Sequence, residues 1–148
     1  VSFIRNSQMT TQANAFFTDL SLTKSEAVKR NARVSICASA NGTTCSGSTN
    51  WATGWIVFTD ASGTSGVLDG TDELLRTHGE IKGEATFTSN GDTYVQFTSS
   101  GYSSSYSDAS ATETLFTLDH ASCTGDQKRV ISVAPYGRVE VERETCGT

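Results

Sequence analysis

The side chains that could do chemistry in this sequence are two histidines, four cysteines, a run of acids between residues 60 and 73, and two tryptophans four apart. His120 follows Asp119 and, with a serine, would supply the parts of a hydrolytic triad. There is no G-x-S-x-G elbow to hold a serine on a strained turn, and the expectation is an ordinary satisfied or exposed histidine. A metal site built from His120 and Cys123 would have to break a disulfide. Asp60, Asp69, Asp72 and Glu73 sit among glycines but lack the D-x-D-x-D-G spacing that aligns oxygens around calcium, so a solvated acidic turn is expected there. No pair among the 16 acids is marked out for glycoside hydrolysis. Trp51 and Trp55 could form a sugar-stacking platform, but their spacing in a strand-and-turn context predicts at least one of them in the core. Glycine-rich phosphate loops are absent. No catalytic residue, metal or cofactor is expected.

Cys37, Cys45, Cys123 and Cys146 form no C-x-x-C, which argues against a zinc ribbon or a thioredoxin-type motif. Two disulfides in an oxidising compartment follow, and four cysteines allow three pairings. Cys37–Cys45 with Cys123–Cys146 is favoured because each pair brackets one hairpin or one returning strand. Asn41-Gly42-Thr43 between the first two also spells a glycosylation sequon, which a turn explains equally well.

The elements that must position these residues begin with one long amphipathic helix over 3–32. Met9, Ala13, Phe16, Phe17, Leu20, Ala27 and Val28 recur at spacings of three and four, and Glu26 and Arg30 stand four apart in the favourable order. These seven residues are the expected assembly face. The period then changes. Residues 33–37 alternate like a half-buried strand, and 55–58 form a second strand. Residues 69–78 suit a helical turn or an edge strand. Strands follow at 84–88, 94–98, 115–120, 129–134 and 138–143, with turns at Asn90-Gly91, Cys123-Thr124-Gly125 and Pro135-Tyr136-Gly137. A Ser/Thr/Gly-rich loop is expected between 98 and 114. The fold class is α+β: a helix (1–32) laid on a β-rich head (33–148) of two packed antiparallel sheets, in a single domain of 148 residues.

The net charge of −5 is uneven: the first 33 residues carry five basic and two acidic side chains, the remainder six and fourteen. An acidic head is the wrong sign for holding nucleic acid by charge. No signal peptide or membrane-spanning run is present, yet the chain opens on Val1-Ser2-Phe3-Ile4 already in helix. The expectation is that an N-terminal segment precedes it.

The run from Ser25 to Cys37 fits S-E-A-x-x-R-x-x-x-V-x-I-C. Cys45, Trp51 and the stretch Gly54, Trp55, Ile56, Val57, Phe58, Thr59 and Asp60 fit C…W…G-W-x-V-F-x-D. Leu74-Leu75-Arg76, Phe116-Thr117-Leu118, Cys123, Arg129–Val133 and Gly137-Arg138-Val139 follow in order. Together they resemble the type IV minor pilins and pseudopilins of the GspH/FimT/FimU family, over nearly the whole chain, with the two cysteine pairs favouring the FimU branch. That resemblance implies a non-enzymatic filament subunit of a Gram-negative bacterium that primes pilus assembly near the tip. Its partners would be other minor pilins, the major pilin and, through a missing apolar N-terminal helix, the inner membrane. It also implies two alternatives, a type II secretion pseudopilin and a FimT-like DNA receptor. In the receptor a Gly-Arg-x-Arg stretch carries the phosphate contacts. Here the second arginine is Glu140, and Glu142 and Glu144 continue the acidic alternation, which argues against nucleic acid. Lys128, Arg129, Arg138 and Arg143 would be the remaining cations for that role.

Overall fold

The computed structural model describes residues 2–81, 83–103, 113–125 and 127–146, with side chains from residue 6 onward. Helix α1 spans Ser2–Arg30. Its interior contains neither glycine nor proline, so nothing interrupts the hydrogen-bond ladder. It ends where Asn31 turns left-handed (φ 53°), with the Ala32 N–H returning to the Ala27 carbonyl, and Lys29 and Arg30 complement the helix dipole in the last turn.

Among the described residues eight strands follow: β1 (Val34–Ala38), β2 (Trp55–Thr59), β3 (Leu74–His78), β4 (Ala85–Ser89), β5 (Tyr94–Phe97), β6 (Thr114–His120), β7 (Lys128–Val133) and β8 (Val139–Glu144). They form two four-stranded sheets, ordered β3-β2-β1-β5 and β4-β6-β7-β8, and every pairing is antiparallel. The segment 69–78 therefore ends as an edge strand. Most of the Ser/Thr-rich stretch expected as a loop, residues 104–112, lies outside the described residues.

Met9, Ala13, Phe16, Leu20 and Ala27 form the inner stripe of α1, and all are buried against the two sheets. Phe16 is the pivot. Its ring meets Trp51, Trp55, Phe87 and Phe116 edge-on, with centroids 4.7–5.6 Å apart, so one side chain touches both sheets. The seven apolar helix residues expected to share one assembly face do not. Five are consumed by the chain's own core, and only Phe17 and Val28 stay exposed. At 100° per residue, position 17 falls outside the stripe through 9, 13, 16 and 20.

β1 is also not half-buried as its alternation suggests, because both of its faces are covered. Val34, Ile36 and Ala38 face the main core, while Cys37 joins Ile56 and Phe58 in a second cluster packed by Cys45, Leu68 and Tyr94. The loop of residues 60–73 covers that outer face. Its hinge is the buried Asp60, whose Oδ2 accepts from Ser35 Oγ (2.7 Å), Gln96 Nε2 (2.8 Å) and the Gly66 N–H (2.7 Å). Asp60, Asp69 and Asp72 are thus loop organisers rather than a free acidic turn, while the Glu73 side chain stays largely exposed. Asp72 accepts from the Ser62 N–H and Asp69 from the Thr64 N–H.

The disulfides are Cys37–Cys45 and Cys123–Cys146, with Cα atoms 5.7 and 5.8 Å apart. The second ties the end of β8 back to the β6–β7 turn. Replacing Cys146 with Ser should lower stability by about 2–4 kcal/mol, and Phe16→Ala by about 3–5 kcal/mol. Thermal unfolding of purified variants reads both; an unchanged melting temperature in either would refute the role assigned to that residue.

Candidate functional site

Two flanks of α1 remain once its inner stripe is buried, and they differ. Counting 100° per residue, Asp19, Glu26 and Arg30 fall on one side of the stripe, and Phe17, Lys24 and Val28 on the other. The first flank is closed against β3. Asp19, only 3% exposed, accepts from Trp55 Nε1 (2.8 Å) and Arg76 Nη1 (3.0 Å). Thr23 donates to the Asp19 carbonyl at 2.6 Å. Arg30 bonds Glu26 at 2.8 Å and reaches Glu73 at 3.5 Å. The hydrogen bond from Arg30 holds the Glu26 carboxyl below its ordinary value, burial opposes this, and the charges of Lys29 and Arg30 add to it.

The second flank is open. Between α1 and the segment from Tyr136 to Val139 lies a groove of about 650 Å³, lined among others by Phe17, Lys24, Val28, Tyr136 and Arg138. Lys24 lies partly buried in its wall and donates to the Gly137 carbonyl at 3.1 Å. Past Phe17 the groove runs into a shallow cleft beside Val139 and Val141. Phe17, Val28, Tyr136 and Val141 are all exposed, so much of the large apolar surface among the described residues gathers here.

The motif residues serve this architecture. Gly54 (φ 119°) leaves no room for a side chain, since a Cβ would meet the His78 carbonyl oxygen at 2.5 Å. Gly137 (φ 95°) does the same against the Gly101 carbonyl and so lets the 135–138 turn close over α1. Trp55 and Phe58 are fully buried on opposite faces of β2. Trp51 is equally buried, with its indole N–H on the Asp92 carbonyl (3.3 Å), and therefore neither tryptophan offers a sugar platform.

Three of the cations considered for nucleic acid, Lys128, Arg129 and Arg143, lie together on β7 and β8, but all four are engaged within the chain. Arg129 is buried, and its guanidinium donates to the Gln127 carbonyl (2.7 Å), Asn6 Oδ1 (2.8 Å) and Thr10 Oγ1 (3.0 Å), pinning β7 to the first turns of α1. Arg143 also reaches Asn6 (3.2 Å). Arg138 is paired with Glu140 at 2.6 Å and Lys128 with Glu144 at 3.8 Å. The histidines make no catalytic set. Asp119 accepts the backbone N–H of His120, His120 Nδ1 accepts the Ser122 N–H, and His78 stacks on Trp55. Among the described residues no group of three His, Cys, Asp or Glu could hold a metal ion.

Sequence reasoning missed Asp19, and it placed Arg129 among candidate DNA contacts rather than in the interior. Each had a signal: an acid three positions after Phe16, at the border of the helix's apolar stripe, and an arginine at an inward position of an alternating strand.

A family model described as type II transport protein GspH matches residues 12–137. The chain belongs to the GspH family. Its fold is that of the type IV minor pilin FimU of Pseudomonas aeruginosa, strain PAO1. One FimU crystal form superposes with a TM-score of 0.72 at 22% identity, covering 98% of this chain and 99% of that one. A second form gives 0.67 at 22%, covering 93% and 99%. No match is found among curated protein sequences. Among the described residues no helix is long and apolar enough to cross a membrane.

The Glu26–Arg30 pair predicts a pH dependence. Because the folded carboxyl titrates below its ordinary value of 4.5, its stabilisation is present above that pH and is lost as pH falls through the lowered value. Glu26→Gln should therefore be less stable than the parent at pH 7 and equal to it in strong acid. Urea unfolding at a series of pH values checks this; a gap that persists in acid would refute it.

Proposed function

We propose that the chain is a minor pilin, a non-catalytic subunit that helps prime a type IV pilus and sits near its tip. The observation that carries this is the end-to-end likeness to FimU of a fold in which one long helix bears a two-sheet head. Physically, such a helix suits a filament. Its inner stripe is satisfied by its own head, which fixes the helix as a rigid spine and leaves an outer flank for neighbours. In this reading an apolar segment preceding α1 holds the subunit in the inner membrane of a Gram-negative cell. After assembly the head meets other minor pilins and the major pilin.

The description of the matching family favours a second reading, a pseudopilin of type II secretion. A DNA receptor is disfavoured by the pairing of Arg138 and Lys128 with glutamates and by the burial of Arg129.

The test is a strain lacking this gene, in which surface pili and type II secreted proteins are both measured beside a complemented control. A sharp loss of pili, restored by complementation with secretion intact, is the expected result. Normal pili with failed secretion would replace the proposal by the pseudopilin reading, and normal values of both would overturn each.

A further inference from the structure

We infer that the groove between α1 and the 136–139 segment is a docking site for an acidic, apolar-flanked segment of a neighbouring subunit, with Lys24 pairing its carboxylate. The inference deepens the filament reading above and rests on it for the identity of the neighbour.

The groove offers apolar surface with one uncompensated charge. Phe17, Val28 and Tyr136 are exposed around it at 36%, 52% and 51%, and Val141 extends the same surface past Phe17. Of the cations near it, Arg138 is neutralised by Glu140 at 2.6 Å, and Lys29 lies 3.8 Å from Glu26. Lys24 has only the Gly137 carbonyl, at 3.1 Å, and among the described residues no carboxylate lies within ion-pair distance of it. A partly buried ammonium against apolar walls gains most from a single carboxylate brought in by an equally apolar partner, since the water that screens surface pairs is excluded.

The same charges select against other occupants. A polyanion such as DNA or a sheet of anionic lipid headgroups would lay many negative charges along β8, where three glutamates stand against Arg143 and where Arg138 and Lys128 are already engaged with Glu140 and Glu144. A purely apolar segment would leave the Lys24 ammonium desolvated and unpaired, which is costly. One acid among apolar side chains, at the spacing of a helix turn or a strand, satisfies both the surface and the charge.

The test places a benzophenone amino acid at Val28 or Tyr136 in the full-length subunit, in a host that assembles its pili. A control carries it at the equally exposed Val67, on the loop over the outer face of the other sheet. After irradiation, adducts are identified by mass spectrometry. Expected are adducts to another pilin from positions 28 and 136 but not 67, mapping to a peptide with Asp or Glu beside apolar residues. Lys24→Glu and Lys24→Gln should cut their yield about tenfold or more, while Lys24→Arg keeps it and all three variants keep the parent's melting temperature. Adducts to lipid or nucleic acid, adducts equally strong from position 67, or yields indifferent to Lys24→Glu would overturn the proposal. Lys24-dependent adducts from a subunit absent from sheared pili would support the groove and defeat the pilus reading; a subunit present in pili without such adducts would do the reverse.

Discussion

The contact on which the rest of the structure depends is the seating of Phe16 where the two sheets meet. The sheets are separate hydrogen-bonded units, and the segment 49–51 laid against β4 is a backbone link between them. Phe16 fills the seam, touching Trp55 of one sheet and Phe87 and Phe116 of the other. One turn along, Asp19 takes the Trp55 indole N–H, and the same tryptophan is gripped by ring and by hydrogen bond from one helix. Together these contacts fix the rotation of α1 about its axis. Which residues become flank and which become core follows from that rotation, and a shift of one residue would expose Phe16 and bury Phe17.

Buried polar groups fix the positions that apolar packing leaves free. Hydrophobic contact tolerates sliding, but a buried charge tolerates only the register that satisfies it. Arg129 reaches Asn6 and Thr10 only when β7 lies against the first turns of α1, which sets the height of the second sheet on the helix. Asp60 is held by Ser35 of β1 and Gln96 of β5, and it gains the Gly66 N–H only when the 60–73 loop is folded over β1, which is how a strand with one polar face comes to be buried on both. These groups contribute specificity more than net stability, since their desolvation offsets much of what their hydrogen bonds return.

Much of the fold was legible. The change of period after Arg33, the turn residues and the absence of breakers in α1 are local signals, and the elements lie close to where those signals place them. The cysteine pairing was legible for the same reason, because each pair closes a short excursion. What could not be seen was burial imposed from a distance. Alternation along 33–37 predicts a strand with one wet face, and only the return of a loop some thirty residues later dries it. The site was less legible still. A helical spacing identifies an apolar face without saying whether the chain's own sheets or a neighbour will cover it, and that is why Met9, Phe16 and Leu20 could not be told apart from Phe17 and Val28. Charge had the same ambiguity: Arg129 and Arg138 read alike in sequence, whereas one is an internal strut and the other half of a surface pair.

The edges of the sheets bear on the docking proposed for the helix flank. An open antiparallel edge is a template for another strand, and a subunit with such an edge would polymerise by sheet extension. β8 is the outer strand of its sheet, and it carries Glu140, Glu142, Arg143 and Glu144 over six residues. Two such edges brought together in the antiparallel register that sets Glu142 opposite Glu142 would oppose like charges at each glutamate. β3, at the edge of the other sheet, has its Arg76 engaged with Asp19, which ties the strand to the helix. β4 has its outer side partly occupied by the bridge from Asn50 to Thr88. Beside these edges, much of the exposed large apolar surface among the described residues lies along the α1 flank from Phe17 to Val28 and its neighbours Tyr136 and Val141. A contact made there would pack a neighbour on the helix rather than extend a sheet, and a heterologous contact of that kind builds a filament where its rotation does not close.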